Sequence, residues 1–356
     1  MSRGMPFFAN PRERHPFYMH EMILGQPSFL SETLQRLGEA DATSFLGRSR
    51  RLLVTGCGTS FHAATYGVRI LQATLAPSWS VNAIHAHDLA FGAAPLQTST
   101  VVLGVSHSGS TPTTNRALVR AKRAGHRTLA VVGLPDTAIE GIADETLVVG
   151  SVHDRSWANT MSYTTQLTAF AAMAAQVSRK RSDLGEAVSN LPRIVRKALG
   201  CEASIRRLAG RVARANHVTF LASGWDDVTA LEAALKIRET CSVSASGYHM
   251  EQFLHGPFLS IGRKEPIVML MSRDDGERAQ VIQRALTRSG ADVTVVGESA
   301  RAAIGLPRVR ATLRPIVSVI PIQFLAYYAA LARKANPDIM RTDIPRLRAG
   351  VEALFH

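Results

Sequence analysis

Two groups of residues in this chain have the types and spacing to do chemistry. The first is Ser106-His107-Ser108-Gly109-Ser110-Thr111. It follows an apolar run at 101–105 and precedes a helix-compatible segment at about 115–123, so it reads as strand, hydroxyl-rich turn, helix. Such a turn offers backbone N–H groups and the positive end of a helix dipole. The hydroxyls of Ser106, Ser108 and Thr111 add neutral donors, and phosphate carries the charge and acceptor oxygens to fill that cradle. An ordinary N-cap turn with spare serines is the other reading. The GxxxxGK[ST] phosphate loop is absent, and Ser108 stands where a GxSxG elbow needs glycine. Cys57-Gly58-Thr59-Ser60 forms a second strand–turn–helix unit after the apolar run at 51–55.

The second group is Glu232, Lys236 and Glu239, followed by His255-Gly256-Pro257. Spacings of four and three place both carboxylates and the ammonium on one helix face, in the favourable order for a pair. A carboxylate, an ammonium and an imidazole near a phosphate cradle suit proton transfer on a sugar phosphate. A surface helix with a salt bridge and a loop histidine is the alternative. Two lesser signals are His85-x-His87-Asp88, read as a strand with both histidines on one face and thus open to metal, and Cys57, placed where a helix start favours thiolate.

The elements that must position these residues alternate. Strands are expected at 51–55, 81–87, 101–105, 127–132 and 145–149, with helices between, which defines a parallel doubly wound α/β domain whose ligands sit at strand carboxyl ends. An Arg-rich helical stretch at about 186–215 leads to a repeat of the pattern, with strands at 217–222, 265–271 and 292–296. The equivalent turn of the repeat reads Ser272-Arg273-Asp274-Asp275-Gly276. Its acids would repel phosphate, so one phosphate site per chain is expected. Residues 1–17 read as an arm rich in Pro and Arg, and 19–37 as a helix interrupted near Gly25-Gln26-Pro27.

The chain has 356 residues, 46% of them hydrophobic, and a formal net charge of +13. That length suggests two domains. The basic residues are scattered among helix-like segments without zinc-finger spacing or aromatic interleaving, so nucleic acid is not expected as partner. No apolar run reads as long enough for a membrane span, and the N-terminus lacks a signal-peptide core, so a cytoplasmic chain without membrane contact is expected. The three cysteines, Cys57, Cys201 and Cys241, lack metal-ligand spacing and fit reduced thiols.

Taken together, Cys57-Gly58-Thr59-Ser60, Ser106 to Thr111, Thr164-Thr165-Gln166-Leu167, Ala230-Leu231-Glu232 through Glu239, and His255-Gly256-Pro257 resemble the tandem sugar isomerase (SIS) domain family. The likeness is strongest to the isomerase half of glucosamine-6-phosphate synthases, without their glutaminase domain. It implies two SIS domains, each a flavodoxin-like αβα sandwich. The expected divisions are an N-terminal arm and helix at 1–36, a phosphate-binding domain at 37–190, a second domain at 191–335 and a closing tail at 336–356.

The resemblance also implies roles. Ser60, Ser106, Ser108 and Thr111 would hold a sugar 6-phosphate, with Cys57, Gly58, Thr59, Asn159 and Thr160 lining the sugar site and His107 contributing through its backbone. Glu239 would move a proton between C1 and C2, Lys236 and Glu232 would support the open chain, and His255 would assist ring opening from the partner subunit of a homodimer. No metal or organic cofactor is implied. The activity would be isomerisation of a hexose or amino-hexose 6-phosphate. Deamination of an amino-sugar phosphate or deglycation of a sugar-amine phosphate is the alternative, and a non-catalytic sugar-phosphate sensor a further one. Three departures stand out. No cysteine nucleophile occupies the N-terminus, where the second residue is Ser2. The tail 336–350 has Pro345 or Gly350 where the family has an imine-forming lysine. Asn159-Thr160-Met161 replaces a serine-threonine pair and a lysine.

Overall fold

The computed structural model describes residues 11–47, 49–93, 96–178, 181–299 and 302–355. The chain forms two compact units. One comprises Gln26–His153 and Met161–Arg193, here the hydroxyl-turn unit. The other comprises Met1–Gly25, Asp154–Thr160 and Ile194–His356, here the charged-cluster unit. The interruption expected near Gly25 is real: helices Tyr18–Leu24 and Gln26–Glu39 meet there, and the boundary between units falls at the same point.

The hydroxyl-turn unit holds strands β1 (Arg51–Gly56), β2 (Ser80–His85), β3 (Thr100–Ser106), β4 (Thr128–Val132) and β5 (Glu145–Val148). They form one parallel sheet in the order β2-β1-β3-β4-β5. β3 and β4 are buried along their whole length, which explains their continuous apolar sequence in place of alternation. The order reverses between β1 and β3, and their carboxyl ends are in register, with Thr55 opposite Gly104. The turns after these two strands therefore flank a switch point, where α/β sheets open a ligand crevice. The helix Met161–Val177 is buried from Met161 to Ala175, so its apolar residues show no single stripe.

The charged-cluster unit repeats this plan with β6 (His217–Ala222), β7 (Ser244–His249), β8 (Pro266–Met271), β9 (Asp292–Gly297) and the two-residue β10 (Ile304–Gly305), ordered β10-β9-β8-β6-β7. β7 was not foreseen, because Ser-Ala-Ser-Gly-Tyr-His lacks the β-branched residues that mark strands. Its Gly247 lies directly under the helix Asp227–Cys241, where a Cβ would collide with the Ala230 carbonyl. The expectation that no segment is long enough to cross a membrane is corrected. Ala311–Ala332 is 22 residues long and apolar enough, and 89% of its 18-residue apolar window is buried inside the structure. It packs against the helices Glu202–Arg214 and Asp227–Cys241. A helix apolar on all sides needs such a surround.

Part of the expected arm, residues 1–10, and the basic positions 179–180 lie outside the described residues. The rest of the arm is strapped down. Arg12 donates to the Pro16 carbonyl at 2.8 Å, and His15 Nδ1 lies 2.6 Å from the Tyr327 hydroxyl.

Candidate functional site

Within the hydroxyl-turn unit, Ser106 closes β3 and is buried, while Ser108 and Thr111 are partly exposed. Ser106 Oγ accepts the Gly109 N–H at 3.1 Å and lies 3.2 Å from Thr111 Oγ1. Ser108 Oγ lies 2.8 Å from Ser110 Oγ. The turn is thus braced by its own hydroxyls. Gly109 has φ of +62°, and a Cβ there would run into Thr137, so only glycine allows this turn. Thr111 is the N-cap of the helix Pro112–Arg123, and Pro112 occupies the first turn, where its missing N–H costs nothing.

Asn115 was not singled out from sequence, yet its Nδ2 donates to the Gly109 carbonyl at 3.1 Å and ties the turn to the helix. Across the switch point, Gly58 has φ of +53° and caps the helix Thr59–Gln72. Thr59 is buried, and Ser60 Oγ accepts from Gln166 Nε2 at 3.0 Å.

His107 is buried, and its ring packs so closely on Gly133 that any side chain at 133 would overlap it. Burial, then the charge of nearby His153, push its imidazole down to about 3. It stays neutral at physiological pH and brings no positive charge to an anion; its backbone carbonyl accepts the Gly133 N–H at 3.0 Å. Cys57 is half-buried, and burial raises its thiol despite the hydroxyl donated by Thr114 at 3.6 Å. That opposes the thiolate suggested by its place near a helix start.

The strand placement of His87 is corrected as well. β2 ends at His85, and His87 and Asp88 belong to the next helix, Ala86–Phe91. The two histidines do not share a strand face, and the His85 ring stacks on Phe61 at 3.7 Å. Among the described residues no group of three or more His, Cys, Asp or Glu is arranged to hold a metal ion.

Within the charged-cluster unit, Glu232 and Lys236 are no surface pair. Both are fully buried on the helix Asp227–Cys241, and the Glu239 side chain is 14% exposed. Lys236 Nζ lies 2.6 Å from Glu239 Oε2 and 3.3 Å from Glu232 Oε1, and it donates to the Ala158 carbonyl. An ammonium has three N–H donors, and two carboxylates and a carbonyl stand among its acceptors here. Burial works against its charge, but Glu232 and Glu239 outweigh that and hold the lysine above its ordinary value. Lys236 is therefore a fixed cation rather than an amine ready for imine formation.

The segment 156–160 bends beside this cluster. Asn159 adopts φ of +51° and donates to the Trp157 carbonyl at 2.9 Å, and Gln323 donates to the Thr160 carbonyl at 2.9 Å. His255 follows the short helix Met250–Leu254 and is exposed, with no ring hydrogen bond to Glu232, Lys236 or Glu239 among the described residues.

The turn equivalent to 106–111 follows β8. There Ser272 Oγ accepts the Asp274 N–H and Asp275 accepts the Ser272 N–H, a capping box, while the Ser223 hydroxyl from the turn after β6 also donates to Asp275. A carboxylate of the chain itself takes the donors that would face an anion.

Two parallel sheets with reversed strand order define a doubly wound α/β protein, a class in which small ligands bind beyond the strand carboxyl ends. Residues 45–176 match the SIS domain. The chain is 31% identical over 349 residues to a glutamine–fructose-6-phosphate aminotransferase (isomerizing) of Thermus thermophilus, an alignment covering 91% of this chain and 57% of that protein. The chain thus spans little more than half the length of such relatives. Among solved structures, the C-terminal domain of glucosamine-fructose-6-phosphate aminotransferase from Francisella tularensis superposes with a TM-score of 0.84 at 19% identity, over 91% of this chain and 98% of that one. Glucosamine-6-phosphate deaminase from Thermotoga maritima does so with a TM-score of 0.77 at 20% identity, over 90% and 96%. At those identities the two structures speak for the fold.

Proposed function

We propose that this protein is a phosphosugar isomerase acting on a hexose or amino-hexose 6-phosphate. The hydroxyl turn at 106–111, with Ser60, takes the phosphate, and Glu239 moves a proton between C1 and C2. The observation that carries the reading is the buried Glu232–Lys236–Glu239 cluster, a carboxylate held against a fixed ammonium. Glu239 removes the C2 proton of the open-chain aldose while the electron pair shifts onto the C1 carbonyl oxygen, giving an enediolate in which the O2 hydroxyl proton passes to O1. The resulting carboxylic acid returns the proton to C1, and C2 becomes the carbonyl of the ketose. One carboxylate serves both carbons because they are adjacent. Lys236 stabilises the negative charge that develops beside it. The phosphate supplies binding energy away from the reacting centre.

The reading extends to a cytoplasmic homodimer in which His255 completes the partner's site. The exposure of His255 and of neighbouring Leu259, at 85%, supports it. The reversed strand order of each sheet supports a flavodoxin-like form for both units.

The test is proton NMR of the protein with fructose 6-phosphate, and separately with glucosamine 6-phosphate, in deuterated water. Deuterium entering at C1 or C2, and lost in Glu239→Gln with phosphate binding intact, is the expected result. Ammonia release from the amino sugar would reassign the activity as deamination. Binding without exchange on either sugar would make the chain a sensor.

A further inference from the structure

Asp338, in the tail, is fully buried. Its Oδ2 accepts the Tyr18 N–H and its Oδ1 the Met19 N–H, both at 2.8 Å. The carboxylate thereby caps the start of the helix Tyr18–Leu24, whose own N-cap, Phe17, supplies no side-chain bond. The tail backbone at the same point is bonded to a third segment. Trp157 N–H donates to the Asp338 carbonyl at 3.1 Å, and Ser156 Oγ donates to the Pro337 carbonyl at 3.3 Å. Ser156 Oγ also accepts the Ala158 N–H at 3.3 Å.

Ala158 then gives its carbonyl to the Lys236 ammonium. A second link runs through Tyr18, whose ring lies 3.6 Å under the Arg155 guanidinium. Every residue in this series belongs to the charged-cluster unit. The series ends on the group that holds Glu239 at 2.6 Å.

We propose that Asp338 is a positioning residue for the Lys236–Glu239 pair: by fixing the N-terminal helix and the tail against residues 155–158, it holds the Ala158 carbonyl where it orients the lysine. This rests on the reading of Glu239 as the base. An isolated structural role would leave the carbonyl in place when the carboxylate is removed. A positioning role would not, because the carboxylate is what keeps the tail backbone, with its two acceptors for 156–157, at this depth. Displacements of about an ångström in a proton-transfer site cost on the order of a hundred-fold in rate.

The experiment compares Asp338→Ala, Asp338→Asn and His20→Ala in the full chain. His20 bonds Glu202 at 2.6 Å and anchors the same N-terminal helix without touching residues 154–160, so it controls for loss of stability alone. The first readout, amide hydrogen exchange of peptides covering 154–160, does not depend on turnover. The second is kcat and KM for sugar-phosphate isomerisation.

Asp338→Ala is expected to speed exchange at 154–160 by about ten-fold or more and to lower kcat by a similar factor, with KM little changed. Asp338→Asn keeps one acceptor and gives a smaller effect on both. His20→Ala lowers the melting temperature and moves neither. Unchanged exchange at 154–160 in Asp338→Ala overturns the proposal. So does faster exchange with undiminished kcat in a protein that Glu239→Gln inactivates. If Glu239→Gln retains full turnover, the reading of the base has failed, and the exchange data separately show whether the clamp exists.

Discussion

The Lys236 ammonium lies 2.6 Å from Glu239 Oε2 and has no exposure to solvent. With Glu232 also fully buried, this unit of the protein places two opposite formal charges where water does not compensate them, beside the partly exposed Glu239. Removing one member of such a group exposes what the others contribute. Lys236→Met leaves the Glu232 charge buried without its ammonium, and a loss of about 3–5 kcal/mol is expected. Pairing it with Glu232→Gln removes that charge and is expected to recover much of the loss, while turnover stays abolished in both. Urea unfolding of the two variants checks this. A single variant as stable as wild type would mean that the cluster is hydrated in solution.

The hydroxyl turn, proposed to take the phosphate, is expected to give a different signature, loss of affinity with little change elsewhere. Gly109→Ala forces an L side chain into φ of +62° and against Thr137. The conformation alone costs about 1–2 kcal/mol. Ser106→Ala takes away the acceptor of the Gly109 N–H, worth about 1–3 kcal/mol for a buried group. Either change is expected to weaken binding of inorganic phosphate by about ten-fold or more. Calorimetry measures it, and unaltered phosphate affinity in both variants would remove the turn from the site.

Local patterns were legible in the sequence and distant partners were not. The turn at 106–111 could be read because strand, hydroxyls and helix are consecutive, and the helix face of Glu232, Lys236 and Glu239 because three and four residues make a turn of helix. β7 escaped because it has no β-branched residue and carries a bare Gly247 where the helix passes over it. His87 was misplaced because strand-like alternation ran past His85 into a helix that starts at Ala86. The core helix Arg314–Ala332 was not foreseen, since Pro315 and Pro321 among β-branched residues do not read as helix. The burial of Lys236, the Ala158 carbonyl that meets it, and the anchoring of Asp338 depend on segments far apart in sequence, which no local spacing encodes.

Arg314 on that helix makes a second buried network with residues at the carboxyl edge of the same sheet. Its Nη2 lies 2.7 Å from Asp226 Oδ2 and its Nη1 3.1 Å from Glu298 Oε1, while Ser318 donates to Asp226 Oδ1 at 2.5 Å. Burial works against the guanidinium charge, and the two carboxylates more than offset it. Arg314→Leu leaves both acids buried without their cation, so a loss of about 3–5 kcal/mol is expected. Thermal unfolding reads it. A loss no larger than that of an exposed change such as Arg288→Leu would show that water reaches the acids.

Asp338 makes stability depend on pH with a definite sign. Burial raises its carboxyl to about 6 from an ordinary 3.8, although the Met19 and Tyr18 amides favour the charged form; Asp154 adds to the rise. The folded state therefore holds this proton more tightly than the unfolded chain does. Its contribution to stability is fully present below about pH 4 and is lost as pH rises through about 6. A shift of about two units corresponds to at most about 3 kcal/mol. The carboxamide introduced by Asp338→Asn carries no such proton. In urea unfolding, the stability of wild type relative to Asp338→Asn is therefore expected to fall between about pH 4 and about pH 7, by up to that amount. A difference that is constant with pH would mean that Asp338 titrates alike in the folded and unfolded chain, and that its two amide bonds offset its burial in full.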